Sequence, residues 1–115
     1  MGRRNRQRLK LAAPAKEYTD PEAGTLVLRG SLTPGSRRDY SQTLEGGLHR
    51  EDARQRATEL LFERLAVSWT VAGVKTQAPR ELLDRYRMAS GAERDFVRES
   101  LRRHLEVNFP ELKAP

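Results

Sequence analysis

The chain has 115 residues, of which 37% are hydrophobic and 33% are charged, and its formal net charge is +6. This length and composition predict a single domain with a modest core, to which self-association or a partner would add stability. The absence of cysteine excludes disulfides and thiolate metal sites. No apolar run approaches the roughly 18 residues of a membrane span, and no signal peptide is expected. We therefore expect a cytoplasmic protein that does not bind membranes, although an Arg-rich start is also typical of transit peptides.

Most of the net charge lies at the N-terminus. Five basic side chains occur among the first ten residues, where there is no acid, namely Arg3, Arg4, Arg6, Arg8 and Lys10. Residues 1–15 are predicted to be a flexible basic arm, residues 16–110 one helical domain, and residues 111–115 a short tail. The five side chains are candidate contacts for nucleic-acid phosphates, without sequence preference. The alternative is a solvated terminus that aids solubility.

Two segments at the start of the domain predict a β-hairpin. Residues 25–29 are β-branched and apolar and are followed by Gly30, which is typical of a strand. Residues 16–18 would form the second strand, and the turn-rich segment 20–24 would connect the two. Because two strands alone are marginally stable in water, the hairpin is expected to lie on the helices.

Capping residues indicate three helices besides a central one. Proline suits the first helical position, where its missing N–H costs nothing. One helix is therefore predicted to begin at Thr33-Pro34 and to end at the glycine pair 46–47. Another is predicted to begin at Pro79. Ser90 and Glu93 have the spacing of a capping box, which predicts the start of the last helix.

The central segment, residues 51–74, has one apolar helical stripe, formed by Ala53, Ala57, Leu60, Leu61 and Leu65. Beyond this stripe the polar face disappears. Val67, Trp69 and Val71 alternate with small polar residues, which is strand periodicity, but the apolar run before them favours extending the helix to about residue 72. The predicted fold class is mainly α, a small domain of about four helices with an N-terminal β-hairpin and a flexible basic N-terminal arm.

A helix that is apolar on all sides is either buried or covered by another chain. Trp69 is the residue on which these two interpretations differ, because tryptophan is common both in cores and as an interface anchor. The candidate partner-binding residues are Leu61, Leu65, Val67, Trp69 and Val71.

Few residues suggest catalysis. His49 and His104 have no second metal ligand at a helical spacing, and His104 is expected to be a partly buried boundary residue. Ser68 lacks the glycine-flanked turn of a hydrolase nucleophile, and no phosphate-binding glycine loop is present. We therefore predict that the protein is not an enzyme and uses no metal or other cofactor.

A second basic feature lies in the last predicted helix, where Arg94, Arg98 and Arg102 recur every four residues. The acids Asp95 and Glu99 lie one step round the helix and would weaken its field. A small nucleic-acid-binding protein that acts through the N-terminal arm is thus the alternative to a protein-binding role.

Residues 24–69 contain, in order, the strand LVLRG (26–30), the segment SLTP (31–34), a helix with RRDY (37–40) and the long helix ending near Trp69. In this order of features the chain resembles the tail assembly chaperones and neighbouring minor tail-morphogenesis proteins of long-tailed bacteriophages and prophages. The resemblance implies a mostly helical, non-enzymatic protein in the host cytoplasm. It implies a tape-measure or tail-tube type protein as the partner, kept soluble during tail assembly, and leaves a homo-oligomer open.

Overall fold

The computed structural model describes residues 13–115, which contain four strands and four helices. In chain order they are β1 (Lys16–Asp20), β2 (Gly24–Leu28), α1 (Pro34–Glu45), α2 (Arg50–Leu65), β3 (Ala66–Val71), β4 (Val74–Thr76), α3 (Pro79–Arg87) and α4 (Gly91–Asn108). The strands form one antiparallel sheet in the order β1-β2-β3-β4. The fold is α/β, and the prediction of a mainly α domain with a single hairpin is wrong.

The error lies at the end of the central helix. Helix α2 ends at Leu65, and β3 begins at the next residue, so the prediction of a helix to about residue 72 is wrong. The carbonyl of Leu65 accepts the backbone N–H of Arg29 at 2.8 Å, which joins the end of the helix to the end of β2. Trp69 and its β-branched neighbours suit a strand paired on both sides. After a turn at residues 72–73, the chain forms β4, which includes Lys75 and Thr76.

The predicted starts of the other three helices are confirmed. The β1–β2 hairpin forms, and Thr33 caps α1 by accepting the N–H of Ser36 at 3.1 Å. Pro79 is the first residue of α3. Ser90 and Glu93 make the reciprocal bonds of a capping box, at 3.1 and 2.9 Å. These boundaries depend on local backbone chemistry, which is why the sequence predicts them.

The core lies between one face of the sheet and the helices. Tyr18, Leu26, Trp69 and Thr76 are cross-strand partners and form one row on this face. Helix α3 packs against β3 and α4 against β2, while α2 packs on α3 and α4, and α1 packs on α2. One face of the sheet thus forms one side of the core, and the helices form the other side.

The last residues of the chain, which the sequence predicts as a short tail, lie against α1. Glu111 forms an ion pair with Arg37 at 2.7 Å, and the carbonyl of Lys113 accepts the hydroxyl of Tyr40. The side chain of Leu112 packs on the core. We call residues 109–115 the C-terminal strap.

Candidate partner-binding surface

Trp69 belongs to the core of this chain. Its side chain is 0% exposed, and its Nε1–H donates a hydrogen bond to the carbonyl of Ala23 at 2.8 Å. The indole lies edge-on to the ring of Phe62, with 6.0 Å between the centroids, and the guanidinium of Arg85 lies 5.0 Å from its centroid. Every side of the indole is therefore occupied by residues of the same chain.

The other four predicted partner-binding residues divide into two groups. Leu61 and Leu65 on α2 are buried together with Trp69. Val67 and Val71 on β3 are half-buried, and Val71 packs against the core cluster. The structure therefore places Leu61, Leu65 and Trp69 in the core and Val71 against it, whereas Val67 is half-buried and does not belong to the core cluster. The five residues do not form one surface open to a partner.

The candidate nucleic-acid contacts of the arm, Arg3, Arg4, Arg6, Arg8 and Lys10, lie outside the described residues. The basic line on α4 is described, and its charges are largely paired. Arg98 forms an ion pair with Asp95, and Arg102 and Arg103 both pair with Glu99. The Coulomb fields of such i,i+3 and i,i+4 pairs largely cancel at a distance, as the sequence predicts.

The two histidines have different environments. His104 is 0% exposed and completely hydrogen-bonded: its Nε2–H donates to the carbonyl of Arg29 at 2.6 Å, and its Nδ1 accepts the hydroxyl of Tyr18 at 2.9 Å. Its burial lowers its pKa. His49 is exposed at the N-terminus of α2. Within residues 13–115 there is no group of three or more acidic or histidine side chains that could hold a metal ion.

The loop between α1 and α2 exposes a large apolar side chain. Leu48 is 99% exposed and follows two glycines, of which Gly47 has a φ of +103°, in the left-handed region that favours glycine. A leucine with almost its whole surface in water makes no packing contribution to its own chain. It is available to a partner without any rearrangement of the fold.

Leu48 borders a cavity of about 700 Å³. The apolar part of its lining consists of Leu44 on α1, Ala53 on α2 and Ala114 of the C-terminal strap, and charged residues complete it, namely Glu45, Arg50, Arg54 and Lys113. An apolar centre with a polar rim is the usual composition of a protein–protein interface. We call Leu48 and this cavity the loop surface.

Met88, which is also exposed, borders a different cavity, and the other residues that line it have polar or charged side chains, namely Thr76, Glu81, Asp84 and Arg85. Isolated exposed hydrophobic residues are common on protein surfaces. The loop surface differs because its exposed leucine lies beside other apolar side chains and a concave space.

No protein-family model, no curated protein and no solved structure matches this chain. The site is therefore interpreted from its own residues. Across the described range, 13–115, the structure has no helix long and apolar enough to cross a membrane.

The loop surface was missed at the sequence level because its residues are far apart in the chain. A sequence signal exists: Leu48 is apolar, yet it lies between a glycine pair and a helix start and belongs to no helical stripe. The cavity beside it could not be predicted, because Ala114 reaches it only through the path of the C-terminal strap.

Proposed function

We propose that this chain is a protein-binding assembly factor of the tail assembly chaperone type, which acts by reversible apolar contact in the host cytoplasm. Its partner is a tape-measure or tail-tube type protein. The observation that carries the proposal is the exposure of Leu48 beside the cavity of the loop surface. The partner's identity is supported by the resemblance of residues 24–69.

The chemistry of the loop surface suits reversible binding of an unassembled protein. Complete burial of a leucine side chain contributes roughly 1.5–3 kcal/mol, which is enough to anchor a contact but not to make it permanent. The charged residues around the cavity keep the surface hydrated when no partner is present. Such a surface can hold an apolar segment of a partner and release it when tail-tube subunits compete for that segment.

The proposal is tested by co-expression with the neighbouring long, helical, tape-measure-like open reading frame. We expect the wild-type chain to raise the soluble fraction of that protein, and Leu48→Glu to remove most of the increase. Because Leu48 is 99% exposed, the substitution should leave the stability of the chain within about 0.5 kcal/mol of wild type.

Val107→Glu is the matched control, since Val107 is also exposed but lies on α4 outside the loop surface. It should solubilise the partner as well as the wild-type chain does. If the wild-type chain leaves the partner insoluble, or if the two substitutions have equal effects, the proposed function is wrong.

A further inference from the structure

Strand β1 lies at an edge of the sheet. It pairs with β2 on one side, and within residues 13–115 no backbone hydrogen bond joins it to any other element. Continued by two residues, the register of the hairpin places Pro14 opposite Gly30, and the carbonyls of residues 13 and 14 do lie against that glycine. The described residues before β1 therefore follow β2 and leave the outer side of β1 uncovered. The N–H and C=O groups on that side can pair with another strand.

The other edge of the sheet is less suited to pairing between copies. Strand β4 has only three residues, with Lys75 in the middle. If two copies paired antiparallel about that residue, Lys75 would lie opposite Lys75, and like charges directly opposite each other are destabilising. A lysine on a short edge strand is a common protection against such pairing. Strand β1 is longer, with five residues, and carries charges of both signs.

The charges of β1 are complementary to those of a second copy of β1. Two copies that pair antiparallel about Tyr18 align all five residues. Lys16 then lies opposite Asp20 at both ends of the paired strands. A shift by two residues also keeps the helices of both copies on one face of the sheet, but it leaves only three pairs, and in one direction it puts Glu17 opposite Glu17. Length and charge therefore select the register centred on Tyr18.

Lys16 and Asp20 have no ionic partner in the single chain, as far as residues 13–115 are concerned. Lys16 is exposed. The Oδ2 atom of Asp20 accepts the backbone N–H groups of Glu22 and Ala23, at 3.0 and 2.8 Å, which leaves its other oxygen for a further donor. Alternate residues of a strand share a face, so that both charges lie on the same side as Tyr18, toward the helices. A second copy would supply each of them with the opposite charge.

A groove of about 570 Å³ runs beside the outer edge of β1, between this strand and α4. Tyr18 and Phe96, which are both half-buried, form part of its lining, and Asp20 lies at its border with the β1–β2 turn. The charged residues of α4 in its lining already form ion pairs along that helix, namely Asp95, Glu99 and Arg103. Asp20 is thus the carboxylate of the groove that is left for a partner, and in the register centred on Tyr18 it meets Lys16 of the second copy.

We infer that two copies of this chain associate through β1, so that their four-stranded sheets join into one continuous antiparallel sheet. Each copy pairs its Lys16 with Asp20 of the other, as the self-complementary interface of a twofold dimer requires. The two Tyr18 rings lie opposite each other at the axis, where aromatic cross-strand pairs are favourable. This inference goes beyond the proposed function. The groove and the loop surface share no residue, so that either can hold without the other.

The test is sedimentation velocity of the full chain from roughly 1 to 500 µM, because interfaces built on one short strand are weak. Amide hydrogen exchange is measured at both ends of this range. We expect the dimer fraction to rise with concentration. Alternate amides of β1 should exchange more slowly as it does, since their N–H groups become hydrogen-bonded across the interface.

Charge reversal at Lys16 tests the register. Lys16→Glu should raise the dimer Kd roughly tenfold, because it places like charges opposite each other twice in each dimer. The same substitution lowers the net charge from +6 to 6 − 2 = +4, which by itself reduces the repulsion between copies. A weaker dimer therefore reports the contact at β1 and not the overall charge.

Asp20→Asn provides the second half of the test. Asparagine keeps an acceptor for the turn but has no charge. It should raise the Kd roughly threefold in the wild-type chain, where it removes an attraction. In the Lys16→Glu background it should lower the Kd roughly threefold, because there it removes a repulsion. This change of sign is expected only if residues 16 and 20 of the two copies lie opposite each other.

The matched control is Lys75→Glu, which makes the same charge reversal on the other edge strand. It should change the Kd by less than roughly twofold. Thermal unfolding at the lowest concentration checks that each variant keeps the fold. A chain that stays monomeric throughout, equal effects of Lys16→Glu and Lys75→Glu, or the same sign for Asp20→Asn in both backgrounds would overturn the inference.

Two further outcomes assign the edge or the association differently, and each overturns the β1 dimer. Protection of the β1 amides that is already complete at the lowest concentration would show that residues 1–12 of the same chain cover the edge. Protection that rises with concentration around Leu48 instead of β1 would place the self-association at the loop surface. Solubilisation of the tape-measure-like protein is a separate measurement, so that failure of the dimer and failure of the proposed function are distinguishable.

Discussion

At the scale of single residues, His104 is a titratable group that lies in the core with its side chain 0% exposed. It joins three parts of the chain, because it lies on α4, donates to the end of β2 and accepts from Tyr18 on β1. This arrangement requires the neutral ring, since Nδ1 must accept the hydrogen bond from the hydroxyl of Tyr18 while Nε2 keeps its proton and donates it to the carbonyl of Arg29. Protonation would remove the acceptor and place a charge in the core.

We predict that His104 makes the protein less stable in mild acid. Burial holds the pKa of His104 below its unfolded value of 6.5, and the charge of Lys16 acts in the same direction. The unfolded chain therefore binds more protons between the two pKa values, so that stability rises with pH in this window. The contribution is complete above the unfolded pKa and is lost as pH falls through the window to the folded pKa. Urea unfolding from about pH 8 to pH 5 measures this.

The variant His104→Gln should be less stable at every pH, and its free energy of unfolding should lack this part of the pH dependence. His49→Gln is the control and should keep the wild-type profile, because His49 is exposed. The carboxylates whose pKa values are lowered, such as Glu93 and Glu99, are common to all three proteins and cancel in the comparison. Identical pH profiles for wild type and His104→Gln would contradict the prediction.

The residue types alone could not distinguish core from surface at two positions. Trp69 was a candidate anchor for a partner because an apolar residue in a helix without a polar face suggests a covered surface. In the strand that forms, the same side chain points to the helices and its N–H bonds the carbonyl of Ala23. Leu48, in contrast, was not a candidate because it belongs to no periodic pattern, yet its position in the loop leaves its side chain exposed.

At the scale of elements, the β3–β4 hairpin shows why the helix-to-strand boundary was misplaced. Its two-residue turn consists of Ala72 and Gly73, with φ values of +50° and +80°. Two positive φ values are typical of the type I′ turn that suits a right-handed strand twist. Asn-Gly or Asp-Gly would have signalled this turn, whereas Ala-Gly also reads as the end of a helix. The alternation of residues 67–71 was visible, but the turn that confirms a hairpin was not.

We predict that Ala72→Asn stabilises the protein. An alanine in the left-handed region has a steric cost of about 1–2 kcal/mol, and asparagine tolerates that region better. The expected gain in the free energy of unfolding is about 0.5–1 kcal/mol, measured by urea denaturation with an unchanged m-value.

Gly73→Ala is the reciprocal variant. An added Cβ would have no atom within 4 Å, so that any loss of stability reports backbone strain rather than a clash. It should destabilise by about 1 kcal/mol. A destabilising Ala72→Asn, or a neutral Gly73→Ala, would exclude the left-handed turn.

Element starts and element ends differ in how well the sequence specifies them. Thr33, Pro79 and Ser90 act on the backbone within one turn of a helix, so their effect does not depend on the rest of the fold. The end of α2 depends on Arg29, which donates to the carbonyl of Leu65 from a position 36 residues earlier in the chain. No local pattern at Leu65 contains that information.

At the scale of the whole molecule, the sheet determines where the helices and the candidate surfaces lie. Strands β2 and β3 are neighbours although α1 and α2 separate them in the sequence. Their pairing brings the loop between these helices beside the end of the chain, where Ala114 lines the loop surface and Pro115 lines a second cavity, which lies between α2, α3 and α4. Both cavities therefore depend on the C-terminal strap as well as on the helices.

We predict that deletion of residues 111–115 destabilises the domain by about 2–3 kcal/mol, because it exposes the core beneath Leu112 and removes the acceptor of the Tyr40 hydroxyl. The ion pair of Glu111 with Arg37 is partly exposed and should contribute little to this value. The free energy of unfolding by urea measures the loss.

Lys113→Ala is the control and should cost less than about 0.5 kcal/mol, since Tyr40 bonds only the backbone carbonyl at that position. If the deletion costs no more than the control, residues 111–115 do not stabilise the folded domain, and the loop surface is defined by the helices alone.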